Sequence, residues 1–168
     1  KSIKYAYVWV GNTVFRVDSQ FNSVNISGDK VVTFAGPVYF AFLVVNTIVF
    51  SCFVDGEKIY IYREDTNDFE VVTDPNAPGN STVNGKLTKP GFIAAFGNRI
   101  TVSVKDSSQF FLSVINLLSP GTPNFIFDPL HCFSIGYDPS IGPGAPVFAQ
   151  ENGLIGQMGV LNNQLYIL

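Results

Sequence analysis

Charge is what this sequence has least of. Ten Lys and Arg with thirteen Asp and Glu make up 14% of the 168 residues, for a formal net charge of −3. That is well below the usual quarter or so. The basic residues are dispersed, with no run and no Arg cluster, so no patch for nucleic-acid phosphates forms and specific nucleic-acid binding is not expected. Histidine occurs once, at His131. A serine triad needs an imidazole base held by a carboxylate, and no Gly-x-Ser-x-Gly elbow accompanies that one His. The two cysteines, Cys52 and Cys132, cannot found a disulfide framework; they read as small buried hydrophobes suited to a reducing compartment. The longest apolar run, residues 38–50, is interrupted by Asn46 and is too short to cross a bilayer, so no membrane insertion is expected. The opening KSIKYAYVWV has no initiator Met, leucine-rich core or small-residue cleavage site.

What is present is apolar and aromatic. Hydrophobic residues reach 46% and aromatics 14%, led by sixteen Phe. Such a chain buries far more apolar surface than a disordered segment can, so it folds. Residues 48–62, IVFSCFVDGEKIYIY, place two strand-length runs around Asp55-Gly56, the strongest short signal for a hairpin with a type I′ turn. The phrase recurs as YAYVWV-GN-TVFRV, FIAAF-GN-RITVSV and MGVL-NN-QLYIL. The turn glycines or asparagines fall at Gly11, Gly56, Gly97 and Asn162, giving spacings of 45, 41 and 65.

A period of about 40 to 50 residues with several strands per unit is the pattern of a β-propeller. The expected fold is therefore all-β, with about four blade-like units near residues 1–36, 37–73, 90–116 and 147–168. The second unit is the fullest, with strands expected at 38–44, 48–54, 57–62 and 69–72. In the first, strands are expected at 5–10, 13–17, 21–27 and 30–34. In the third they fall at 92–96, 99–104 and 109–114. Loops are expected at 73–90 and 116–146. The second of these carries six prolines and an apolar set including Phe125, Phe127, Leu130 and Phe133, which reads as a partner-binding loop. Propellers close with four to eight blades. Both ends fall inside strand patterns, so the expectation is a portion of a larger ring within a longer polypeptide.

Chemistry is sparse. Glu64, Asp65, Asp68 and Glu70 crowd one turn, and Asp55 and Glu57 flank another. Glycosidase carboxylates must converge on one bond from separate elements, whereas these read as solvated turn residues. Asp65, Asn67 and Asp68 lack the ligand periodicity and glycine of a calcium loop. His131-Cys132 offers at most two zinc ligands and nothing completes four. Asn25-Ile26-Ser27 and Asn80-Ser81-Thr82 match the glycosylation pattern, which arises often by chance. No catalytic residue, cofactor or metal site is expected.

Residues 89–168 carry a further pattern. Phe96, Gly97, Asn98, Arg99 and Ile100 are followed by Phe110, Phe111, Ser113 and Asn116. Gly153, Leu154, Ile155, Leu161, Asn163, Leu165 and Tyr166 then form a second phrase. This stretch resembles the β-propeller tail-hub and packaged-DNA stabilisation proteins of short-tailed bacteriophages, although it lacks the Trp often found after the Asn. The resemblance implies a structural virion protein, assembled in the host cytoplasm, that closes the DNA channel and receives tail proteins. Its implied partners are further copies in a ring, portal or adaptor proteins and tail proteins. It implies no catalytic residues. The competing expectation is a propeller module that binds a protein or a glycan.

Overall fold

The computed structural model describes residues 5–30, 32, 36–45, 47–83, 85–116, 124–134, 155–161 and 164–168. Among these no residue is helical, and every strand pairing is antiparallel. The first sheet contains β1 (Tyr5–Val10), β2 (Thr13–Asp18) and β3 (Ser23–Asn25) in that order. The second is β4 (Tyr39–Val45), β5 (Ile48–Val54), β6 (Ile59–Arg63) and β7 (Asp68–Val71), again in chain order. A small hairpin follows, β8 (Thr82–Val83) and β9 (Lys86–Leu87). The third sheet holds β10 (Pro90–Phe96), β11 (Arg99–Val104), β12 (Gln109–Asn116) and β13 (Asn124–Ser134). The last is the hairpin of β14 (Met158–Leu161) and β15 (Gln164–Ile167).

Period-two alternation sends successive side chains to opposite faces, and here both faces of the inner sheets are covered. From β5, Phe50, Cys52 and Val54 join Ile59 and Ile61 of β6 in a core shared with Ile93, Ile100, Val102 and Phe111 of the third sheet. The alternate residues Phe53, Tyr60 and Tyr62 pack instead against Val14, Tyr7 and Trp9 of the first sheet. The third sheet turns Ala94, Phe92 and Phe110 toward Met158, Leu165 and Ile167 of the last hairpin. The sheets therefore stack face to face in chain order. In the middle of the stack β10 lies beside β4 on one side and β14 on the other.

Several expectations need correction. The four supposed hairpin turns are not equivalent. Gly97-Asn98 joins the first two strands of its sheet, whereas Asp55-Gly56 joins the second and third. Nor is the latter a two-residue turn, because Val54 pairs with Ile59 and residues 55–58 form the connection. Val45 pairs with Ile48, so β4 and β5 meet at a tight connection where the expected strands 38–44 and 48–54 leave one. The tight turns at 11–12 and 97–98 have positive φ at Gly11 (59°) and Gly97 (57°) but not at Asn12 or Asn98, the pattern of type II′. Even turn spacing is thus not the repeat; the sheet itself is.

Neither expected loop is a plain loop. In the segment 73–90, Ala77 is fully buried in the core between the second and third sheets. Lys58 Nζ donates to the Gly79 carbonyl (2.7 Å) and to Asn80 Oδ1 (2.6 Å), tying the segment to the connection between β5 and β6. In the segment 116–146, residues 124–134 are the fourth strand of the third sheet. Pro129 falls where the register shifts, between the Phe127–Ser113 and Cys132–Phe111 pairs, so its missing N–H interrupts no regular ladder. Proline counting hid this strand. Residues 117–123 and 135–146 lie outside the described residues, as do 147–154 of the fourth unit, including Gly153 and Leu154.

Phe127 is the best test of the correction. Its side chain is 0% exposed in the main core, and its backbone N–H donates to Asp74 Oδ2 at 2.7 Å. Phe127→Ala should lower unfolding free energy by about 3–5 kcal/mol, read from urea denaturation followed by Trp9 fluorescence. A loss under about 1 kcal/mol would return this residue to a peripheral role.

Candidate functional site

Three places stand out among the described residues, two built on buried polar groups and one an aromatic cleft. The first is the β5–β6 connection. Asp55 follows an apolar strand yet is 0% exposed. Its Oδ1 accepts the backbone N–H groups of Glu57 and Lys58, each at 2.8 Å, and its Oδ2 accepts the Tyr60 hydroxyl at 2.8 Å. This is an Asx turn with a phenol added. Both oxygens are engaged, so the carboxylate holds the turn. The sequence reading placed it on an exposed turn, and burial overturns that.

The second place lies between the first and second sheets. The Tyr7 hydroxyl donates to Glu64 Oε1 at 2.9 Å and lies 2.8 Å from Ser51 Oγ. Burial, with the carboxylate of Glu64 close by, pushes the Tyr7 phenol well above its usual range; the Ser51 contact opposes this. The Tyr62 phenol is also raised, chiefly by burial, with Arg16 pulling the other way. The Arg16 guanidinium stands 4.4 Å from the Tyr5 ring centroid and 5.7 Å from that of Tyr62. Glu64 is therefore not a free turn carboxylate. Ser51 in an otherwise apolar strand was the one sequence signal for this network. The Trp9 indole N–H is buried without a hydrogen-bond partner.

The third place is a cleft of about 440 Å³ at the starting ends of β4 and β10 and the approach to β14. Tyr39, Phe40, Phe92 and Met158 line it, and the rings of Tyr39 and Phe92 lie 4.6 Å apart, tilted by 55°. Gln157 and the Tyr39 hydroxyl supply its polar side-chain groups. Among its described lining residues there is no His, Asp, Glu, Lys, Arg or Cys. Tyr39 and Phe92 belong to different sheets, so their proximity was invisible in the sequence.

The remaining candidates are placed as follows. Of the expected partner-binding set, Phe127 is buried in the core, while Phe125, Leu130 and Phe133 are in β13, with Phe125 opposite Ile115 and Phe133 opposite Phe110. None is a loop residue. Asp65 accepts both Arg63 Nε (2.6 Å) and Nη2 (2.8 Å), and that guanidinium holds its carboxyl below the usual range. Asn67 Oδ1 accepts the Tyr62 hydroxyl at 2.8 Å. No group of three His, Cys, Asp or Glu that could hold a metal occurs among the described residues. Asn80 spends its amide on the Val72 and Asp74 carbonyls (2.8 and 3.0 Å), a structural use of one glycosylation-pattern asparagine. Cys52 is fully buried, which pushes its thiol far above the ordinary range.

No protein-family model matches the chain, and comparison with curated proteins finds no match either.

Two outcomes follow from these contacts. Asp55→Ala strands the Tyr60 hydroxyl and two N–H groups, and should cost roughly 3 kcal/mol of stability by chemical denaturation. A loss near zero would mean that the turn repacks. Tyr7 has a folded-state pKa above its unfolded value, so its contribution is fully present below the unfolded value and lost as pH rises. Denaturation midpoints should therefore begin to fall at about pH 9, where Cys52 ionises in the unfolded chain, and fall more steeply above about pH 10 as Tyr7 adds its share. Tyr7→Phe should flatten part of that fall, Cys52 and Tyr62 contributing the same sign; an unchanged alkaline limb would remove Tyr7 from the account.

Proposed function

We propose that this chain is a structural assembly protein, a run of β-propeller blades that holds other macromolecules in place. The observation that carries the reading is the face-to-face stacking of successive sheets in chain order, with β4, β10 and β14 side by side. Radially packed blades bring their first strands together in this way. A stack with few charges and apolar faces inside is rigid, as a scaffold needs to be. Within that class, the tail-hub-like phrases of residues 89–168 favour a structural virion component: a tail hub or head-to-tail connector part that closes the DNA channel. Such a protein works in the virion tail after assembly in the host cytoplasm, as a ring of copies between portal or adaptor and tail proteins. It is not an enzyme on this reading. The net charge of −3 suits a conduit that must release DNA.

One observation favours a second reading. The Tyr39–Phe92 cleft is an aromatic platform of the kind that stacks on a sugar ring or an apolar side chain, as in a glycan- or protein-binding module.

Native light scattering separates the two. The hub reading expects an assembly of several copies, or capture by a purified phage portal ring. Leu161, 62% exposed on the last hairpin, is a place to weaken it. Leu161→Asp should shift the particle toward monomer while leaving the denaturation midpoint within about 0.5 kcal/mol of wild type. A monomer at all concentrations that ignores the portal, and loses glycan binding on Phe92→Ala, would replace the hub by the binding module.

A further inference from the structure

Lys86, Lys89 and Lys105 are three of the chain's ten basic residues, and the fold brings them to one cleft of about 320 Å³. The cleft lies between the segment running from β9 into β10 and the turn from β11 into β12. Two backbone features hold its sides together. The Lys105 N–H donates to the Lys89 carbonyl at 2.8 Å. Gly91 makes that approach possible, because a Cβ there would stand 2.7 Å from Ser103 Oγ and 3.3 Å from Lys105 N. The three lysines are exposed, whereas Thr88, Val104 and Gln109 are buried and form the floor.

Lys89 Nζ is paired with Glu57, and Asp106 stands on the rim, so three ammonium groups meet two carboxylates here. The local excess is positive in a chain whose net charge is −3. Gln109 is 5% exposed, and what is exposed of it faces this cleft. Its backbone N–H donates to Ser107 Oγ at 3.1 Å, but its side-chain amide makes no hydrogen bond to any described residue. A buried amide is costly unless a partner reaches it. The Ser107 hydroxyl, having accepted from Gln109, still has a proton to donate. Thr88 offers less, since its hydroxyl donates to the Ser81 carbonyl at 2.9 Å.

We infer that this cleft binds the phosphate group of a small phosphate monoester. A lysine ammonium serves phosphate as a point charge, whereas the planar fork of arginine matches a carboxylate, and no Arg is among the lining residues. The donors arrive from three directions: Lys86 from β9, Lys105 and Ser107 from the turn, and Gln109 from β12. A tetrahedral group with acceptor oxygens on every side meets such a set better than a planar one. The volume is at the lower end for small-molecule clefts and exceeds what a lone phosphate fills. Leu87, 53% exposed, and Val104 offer the organic part of the ester an apolar wall. A nucleic-acid backbone is a long array of singly charged diesters and calls for a basic stripe rather than one spot. The inference stands apart from the assembly reading, since a particle of any copy number can carry this cleft.

Phenyl phosphate is the probe, added to the full chain and followed by isothermal titration calorimetry. Saturable binding with a Kd of about 1 mM or tighter is expected, with a matching rise in the denaturation midpoint. Lys86→Met and Lys105→Met should each weaken it about three- to fivefold, and Gln109→Leu by a similar factor through the lost amide. Arg99→Gln removes the same charge from an exposed residue outside the cleft and should leave the affinity unchanged. Inorganic phosphate and benzoate should each bind more weakly than phenyl phosphate, the first lacking the ring and the second the tetrahedral dianion. No saturation below about 20 mM, equal weakening by Arg99→Gln, or either control binding as tightly as phenyl phosphate would overturn the assignment. Should Gln109→Leu fail to fold, the two exposed lysines carry the same test. None of these outcomes bears on particle mass, so the two proposals fail separately.

Discussion

The constraint on which the structure turns is that the second sheet is apolar on both faces. A sheet with one solvated face can close a fold by itself, but β5 and β6 alternate between two cores and have no polar side to offer to water. Phe50, Cys52 and Val54 require a sheet on one flank, and Phe53, Tyr60 and Tyr62 require another. Stacking follows from that pair of demands. The third sheet meets the first demand and passes a similar one on, because Ala94 and Phe110 must in turn be covered by the last hairpin. The low charge content is a consequence: there are few solvent-facing strand positions on which charges could stand.

The polar residues that do enter the stack serve as fasteners. Asp55 replaces water for a turn that is sealed between sheets. Ser51 and Glu64 give the Tyr7 hydroxyl its partners across the first interface, and Ser103 and Ser113 accept the N–H groups of Phe92 and Ile100 within the third sheet. Each satisfies a group that burial would otherwise leave unpaired.

Much of the architecture could be read from residue order. Alternating runs bounded by Asp55-Gly56 and by the polar turn at residues 64–67 placed β4 to β7 within about two residues at each end. What could not be read was whatever depends on three dimensions. Asp55-Gly56 carries the hairpin signature, yet the same Asp, once buried, prefers to bond Glu57, Lys58 and Tyr60, and the turn opens to four residues. Asn-Phe-Ile-Phe at the start of β13 alternates properly, but Pro129 argued for a loop until the register shift gave it a harmless place. The aromatic cleft belongs to the same class, because Tyr39 and Phe92 come from different sheets and no local pattern specifies their meeting.

The burial of Cys52 has a separate consequence. With its thiol held protonated between two sheets, almost none of the nucleophilic thiolate exists at neutral pH. Oxidants and alkylating reagents reach this sulfur only when neighbouring sheets part. The rate at which Cys52 is modified is therefore a clock for the opening of the stack, built into the chain without an added probe.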